Sequence, residues 1–215
     1  MKLRQLEQEA ALYKERTRIA KDIHDDLGAS LTEISLLGEL AQHDFSTAGT
    51  ARGHVEKIAV MARDGIKALD EIVWAVNPRN DTLAHLIDYV GQFAVDFLRV
   101  AAIRCRLDFP EQPPVRAVSA EVRHNFFLVA KEALHNVVKH AQATEVWLRV
   151  NVSDARLQLT VEDNGSGFDC PPENAWADGL RNMRERLAEM GGKCQVRSQG
   201  GLGTKVIFEV PWQRT

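Results

Sequence analysis

Cysteine is scarce in this sequence. Cys105, Cys170 and Cys194 are the only three in 215 residues. They form no CxxC pair of the kind that holds zinc or exchanges disulfides, and read as reduced thiols of a cytosolic chain. Long apolar runs are missing too: nothing approaches the ~18 uninterrupted apolar residues of a membrane span. No charged-then-apolar leader opens the chain, so no secretory signal is expected. Nor is there an excess of one charge. Lys and Arg number 27 against 30 Asp and Glu, a net charge of −3, which leaves no electrostatic footprint for direct nucleic-acid binding. What is present, 45% hydrophobic and 27% charged residues, is ordinary for globular protein and excludes disordered and collagen-like chains.

Proline is absent before Pro78, and aromatics are few there. Within residues 1–77, apolar or small residues recur in steps of seven at Leu6, Tyr13, Ala20, Leu27, Ile34 and Ala41. A polar stretch from His43 to Gly53 interrupts the pattern. It resumes at Val55, Ala62, Leu69 and Val76, with Ile58, Gly65 and Ile72 in the offset row. Two heptad-patterned helices joined by a loop make an antiparallel hairpin. A lone hairpin buries too little apolar surface, so the periodicity predicts a homodimer closed as a four-helix bundle.

From Pro78 the pattern changes, which predicts domains at 1–77 and 78–215, with Asn77–Asp81 as the hinge. Leu83 to Leu98 follows helical spacing with Asp81 as expected N-cap. Alternation over Ile103–Phe109 reads as a strand. A long helix from Ser119 to His140 follows, then strands at Val146–Val152 and Leu157–Val161. A loop from Asp163 to Asp178 leads to a helix stopped by Gly191 and Gly192. Strands near Cys194–Ser198 and Lys205–Val210 close the chain. The fold class is therefore α+β: a helical hairpin, then a sandwich with helices on one side of a sheet.

Four segments carry candidate chemistry, and each has a bland reading. His24, just after a seam position, lies at the edge of the bundle, where a neutral imidazole is a competent nucleophile. Asp25 beside it can hold the other ring proton, although so charged a stretch also reads as a solvated face. On the helix before Ala141, Lys131, Glu132, His135 and Lys139 share one face, with Asn136 at its border. Amide, carboxylate and ammonium in a row suit a hydrated Mg²⁺ and a polyphosphate; an ordinary amphipathic helix fits as well. Asp163, at a strand end before Gly165 and Gly167, is placed to accept from an exocyclic amine where backbone approaches a ring, or to make a plain turn. Gly179 at an expected helix start and the run Gly200–Thr204 offer backbone amides to phosphate oxygens, or act as caps and turns. No GxGxxG, Walker loop, HExxH or GxSxG pattern occurs.

The order of these segments resembles the two-component sensor histidine kinases over nearly the whole chain. Arg18-Ile19-Ala20, His24-Asp25 and Leu27-Gly28 look like the subgroup that includes nitrate/nitrite sensors. Glu132 to Ala141 is similar to the family's N box. Asp163-Asn164-Gly165-Ser166-Gly167-Phe168 matches its first glycine box, and Gly179-Leu180 and Gly201-Leu202-Gly203-Thr204 resemble the later ones. The resemblance implies a protein-histidine kinase: His24 is autophosphorylated by ATP with Asp25 activating it, and the phosphoryl group passes to an aspartate of a response regulator with helix-turn-helix output. It further implies that Asn136 ligates Mg²⁺ through its amide oxygen, with Glu132 reaching the metal through water. Lys139 would meet phosphates, Asp163 the adenine amine, and the Gly203-Thr204 turn the phosphate end. The sandwich would be the Bergerat-type ATP-binding fold shared with gyrase and MutL, carrying a mixed sheet under helices.

Two departures stand out. Ala29 takes the place of a glutamine that orients water for receiver dephosphorylation, which predicts weak phosphatase activity. The loop from Cys170 to Asp178 is short for a nucleotide lid. Heptads already running at the first residues suggest the cytoplasmic part of a longer sensor, membrane-anchored or with a sensing domain upstream, or equally a soluble kinase with a short coiled lead. Two competing readings are an ATP-binding serine kinase of the anti-sigma type and a catalytically silent dimeric scaffold.

Overall fold

A computed structural model describes residues 31–38, 40–41, 48–169 and 175–211. His24, Asp25 and Ala29 lie outside the described residues, as does the first seam from Leu6 to Leu27. Two compact units divide the chain, Met1–Asn80 and Asp81–Thr215.

In the first unit, residues 31–38 and 40–41 are helical, and helix α1 runs over Ala48–Val76. It starts before Gly53, which the sequence placed in the loop. One internal glycine costs about 1 kcal/mol in a helix, which 29 helical residues absorb. Pro78 has no N–H to extend the helix, and a 3₁₀ turn, Pro78–Asn80, follows. The Asn80 side chain donates to the Trp74 carbonyl at 2.9 Å, capping the end of α1. Apolar residues here do not all face inward: Ile66 is 60% and Val73 59% exposed, and Val55 and Leu69 are exposed as well.

The second unit contains α2 (Leu83–Val100), β1 (Arg104–Asp108), α3 (Ala120–Asn136), β2 (Glu145–Val152), β3 (Arg156–Asp163), α4 (Ala175–Glu189), β4 (Lys193–Ser198) and β5 (Thr204–Pro211). The five strands form a mixed sheet in the order β1-β2-β3-β5-β4. Only β1 and β2 are parallel; a parallel pair requires a crossover, and α3 supplies it. Apolar rows cross the sheet in register, Leu148 beside Val161 beside Val206 beside Val196, then Val150 beside Leu159 beside Phe208. Except for Val196, these side chains are buried. The alternate residues, Arg149, Glu162 and Lys205, make ion pairs on the other face. Cys105 and Cys194 sit on the edge strands, and burial pushes both thiols up to about 11, which keeps them protonated and unreactive near neutral pH.

Aromatic contacts seat α3 on α2. Phe127 meets Tyr89 and Phe93, both at 5.0 Å between ring centroids, contacts worth ~0.5–1.5 kcal/mol each beyond area burial. The α2 cap differs from expectation: Thr82, not Asp81, accepts the His85 N–H. Asp81 is drawn away by Arg123, fully buried, whose Nη1 lies 2.5 Å from its carboxylate and 2.7 Å from the Val118 carbonyl. Ser119 caps α3 by accepting from Val122 N–H. The long helix then continues as a π-helical turn, Val137–Ala141, rather than as regular α-helix to His140.

Candidate functional site

The alternation of β3 decides where its two terminal carboxylates go. Leu157, Leu159, Val161 and Asp163 face the helices, while Glu162 takes the opposite face. Arg149 and Lys205 surround Glu162 there; burial raises its carboxyl, but these two cations outweigh that and hold it below its usual value. Asp163 is only 5% exposed. Its Oδ1 accepts the Gly165 N–H at 2.8 Å, and the Thr204 N–H also donates to the carboxylate. Burial pushes the Asp163 carboxyl above the usual carboxylate range; the two amides pull it back, and the charge of Glu162 pushes it up. An ionised carboxylate has about four acceptor positions, so capacity remains for a further donor.

Above Asp163 lies a pocket between α3, α4 and the sheet. Asn136, Phe168, Leu180, Val196, Val206 and Thr204 are among its walls. Apolar sides with one buried acceptor at the base suit a flat heterocycle bearing an amine. Within the pocket the room left for water is about 20 Å³, about one molecule. A second, polar groove of about 320 Å³ runs between α3 and α4, with Lys131, Glu132, Lys139, Asn182 and Arg186 along it. Its cations suit phosphate oxygens.

Gly179 joins the two spaces. A Cβ there would run into the Glu132 carboxylate and lie 3.7 Å from the Asn136 amide nitrogen. The sequence placed this glycine at a helix start, but α4 begins at Ala175. Its contribution is therefore a missing side chain between Glu132 and Asn136, not a free N-terminal amide. The same early start shortens the expected Asp163–Asp178 loop. Gly165 packs its Cα against the Ala141 carbonyl, and Gly167 and Gly203 hold positive φ of 58° and 79°, a region that favours glycine.

The predicted site residues of the second unit thus fall into two adjoining groups. Asn136, Asp163 and Thr204 share the pocket, with Gly165, Gly167 and Gly203 shaping its rim, and Glu132 and Lys139 share the groove. Thr204 departs from expectation. Its amide is bonded to Asp163, which sets it beside the buried carboxylate and away from the Lys139 groove. Asn164 is a brace, its Oδ1 accepting from the Thr144 and Glu145 amides at 3.0 and 2.9 Å. His135 is held by Phe97, 4.5 Å between ring centroids, and its Nδ1 donates to the Lys131 carbonyl at 2.9 Å. Sequence reasoning missed the apolar walls Val196 and Val206. The walls carry only an ordinary strand signal.

No three His, Cys, Asp or Glu residues converge on a possible cation among the described residues. Mg²⁺ keeps several waters and takes most other ligands from substrate phosphates, a demand that one carboxylate and one side-chain amide fit; the Glu132 carboxylate and the Asn136 amide flank Gly179 where pocket and groove meet. Among the described residues, no helix is long and apolar enough to cross a membrane.

Comparison with known proteins places both halves. Residues 15–81 match the HisKA_3 family, described as histidine kinase, and residues 121–214 match HATPase_c, described as histidine kinase-, DNA gyrase B- and HSP90-like ATPase. The chain is 27% identical to the sensor histidine kinase LiaS of Bacillus subtilis, covering 94% of this chain and 55% of LiaS. It is 28% identical to the nitrate/nitrite sensor protein NarX of Escherichia coli, over 94% of this chain and 33% of NarX. It therefore spans about half the length, or less, of these curated relatives. In fold, it is similar to the histidine kinase domain of an Erythrobacter litoralis blue-light activated kinase, with a TM-score of 0.53 and 20% identity over 89% of this chain and 93% of that one. It also resembles ShkA solved in complex with AMPPNP, with a TM-score of 0.58 and 15% identity over 93% of this chain and 46% of that one. Both matching family models are histidine kinase domains and together they cover most of the chain, so the chain belongs to the two-component sensor histidine kinases and is NarX-like within them.

Proposed function

We propose that this chain autophosphorylates on His24 at the expense of ATP and passes the phosphoryl group to an aspartate of a response regulator with helix-turn-helix output. The observation that carries the ATP reading is the buried Asp163 carboxylate at the floor of an apolar pocket, one glycine away from a cationic groove. Asp163 accepts from the adenine amine, and Thr204 flanks it at the same end. Asn136 supplies an amide oxygen to Mg²⁺, and Glu132 reaches the metal through water. Lys139 neutralises phosphate charge, and Gly165, Gly167, Gly179 and Gly203 allow close backbone approach. ATP with Mg²⁺ supplies the activated γ-phosphoryl group. Phosphoryl transfer then needs mainly in-line positioning and charge neutralisation. His24 provides the nucleophilic ring nitrogen, and Asp25 holds the proton on the other one.

The exposed Ile66 and Val73 lie beside the a and d rows of α1 and widen its apolar stripe beyond a two-stranded seam. That width supports a homodimeric four-helix bundle. The kinase part is cytoplasmic, and a membrane-anchored sensing region belongs to the longer protein. The test is incubation with γ-labelled ATP and Mg²⁺. Acid-labile label on the native chain and none on His24→Gln is expected; acid-stable label on serine or threonine overturns the reading.

A further inference from the structure

The expected hinge, Asn77–Asp81, is tied at both ends. Asn77 N–H donates to the Val73 carbonyl at 3.2 Å and Asn80 N–H to the Asn77 carbonyl at 3.0 Å. Arg79 N–H donates to Asn77 Oδ1 at 3.0 Å, and with the Asn80 side chain on Trp74 these bonds fasten Asn77–Asn80 to the end of α1. Asp81 begins the second unit and is bonded into it at once. Val118 N–H donates to the Asp81 carbonyl and Leu83 N–H to the Arg116 carbonyl, both at 3.0 Å, on either side of an antiparallel bridge between Thr82 and Ala117. Arg123 Nη1 joins the two segments of that bridge, meeting the Asp81 carboxylate and the Val118 carbonyl. The free connection shrinks from Asn77–Asp81 to the single Asn80–Asp81 link.

A guanidinium is a costly choice for that place. The Arg123 side chain is 0% exposed, and well-packed apolar residues often match or better a buried ion pair in stability. What apolar side chains lack is direction. A guanidinium donates along fixed, planar N–H vectors, here toward acceptors on both segments of the bridge. Arg123 also stands apart from the nucleotide groups. It lies thirteen positions before Asn136 on α3, roughly 20 Å at the helical rise, and lines neither the pocket nor the groove.

We infer that Arg123 is a positioning residue for the phosphoryl transfer: by pinning Asp81 it keeps the link into the second unit short and stiff. A tether raises an intramolecular rate only while its length and stiffness suit the span, and small misplacements of reacting groups are expensive. Arg123 thereby raises the effective concentration of bound ATP at the nucleophile while touching neither. The inference rests on the proposed autophosphorylation of His24 by ATP.

The test is the rate of autophosphorylation of the full chain across ATP concentrations, with calorimetric ATP binding and thermal melts of the same samples. Arg123→Met is expected to lower the maximal rate about tenfold, with the half-saturating ATP concentration and the Kd for ATP unchanged. Two glycines inserted between Asn80 and Asp81 leave the Asp81–Arg123 pair in place but lengthen the link, and are expected to cause the same loss. Together the two changes cost little more than either alone, because both act through one link. A Kd for ATP that rises in Arg123→Met, an unchanged maximal rate, or additive costs overturn the inference. Should Arg123→Met not fold, Arg123→Lys, which keeps the charge without the planar fork, is read by the same criteria. Native chain that gains no phosphohistidine overturns the autophosphorylation reading itself. Native labelling that Arg123→Met equals overturns only the role of Arg123.

Discussion

Acidity should move the stability of the ligand-free fold and its affinity for adenosine in opposite directions, through one carboxyl group. Burial raises Asp163 above its usual value, against the pull of the Gly165 and Thr204 amides. Below ~4, the usual carboxylate value, Asp163 is protonated in both folded and unfolded chains. As pH rises from there to the raised folded value, the unfolded chain ionises first, so the stability held at acid pH is lost across that window. Base binding runs the other way, because only the ionised group accepts the amine without competing as a donor. Affinity rises by up to about tenfold per pH unit below the folded value and levels off above it. Asp163→Asn keeps an oxygen for Gly165 but turns an NH₂ toward the Thr204 amide or the ligand. Losing a charged acceptor and opposing two donors costs about 3 kcal/mol, roughly 100-fold in affinity. Adenosine, which carries no phosphate to titrate, is the probe for calorimetry across this range, with thermal melts of the same samples. A pH slope that persists in Asp163→Asn, or native-like binding by that variant, refutes the reasoning.

Three further outcomes are expected. Asp81→Ala leaves the buried Arg123 guanidinium without its carboxylate and destabilises the second unit by about 2–3 kcal/mol, below the figure for a fully buried pair because Asp81 is partly exposed; Arg123→Met costs less, since the remaining carboxylate reaches water. Chemical denaturation compares the two. Ile66→Glu combined with Val73→Glu places charge on the wide apolar stripe of α1 and shifts the protein toward monomer in sedimentation, whereas Glu56→Gln leaves the dimer intact. Ala29→Gln increases the rate at which phosphorylated receiver loses phosphate, measured by phosphate release.

Much of the second unit was legible because period-two and period-3.6 patterns survive in short windows. The alternation of Leu157, Leu159 and Val161 carries through to Asp163 and buries it, and the apolar face of the helix before Asn136 packs as its spacing implies. What stayed hidden depends on residues far apart in sequence. Asp81 looked like the cap of α2, and only its pairing with Arg123, forty-two positions on, draws it away and leaves Thr82 in that place. Thr204 was assigned to phosphates from the glycine run around it, but the sheet register that brings its amide to Asp163 is not written in that run. Gly179 looked like a helix start because Asp178 precedes it. Helix formation from Ala175 turns it instead into the gap through which Glu132 and Asn136 come together.

The most direct measurement is the identity of the modified residue after incubation with Mg²⁺ and ATP. Peptide mapping by mass spectrometry under alkaline conditions, which preserve phosphoramidates, is predicted to find a single phosphohistidine at residue 24. Phosphate on a hydroxyl side chain, on another histidine, or on no residue of a chain that binds ATP contradicts the account.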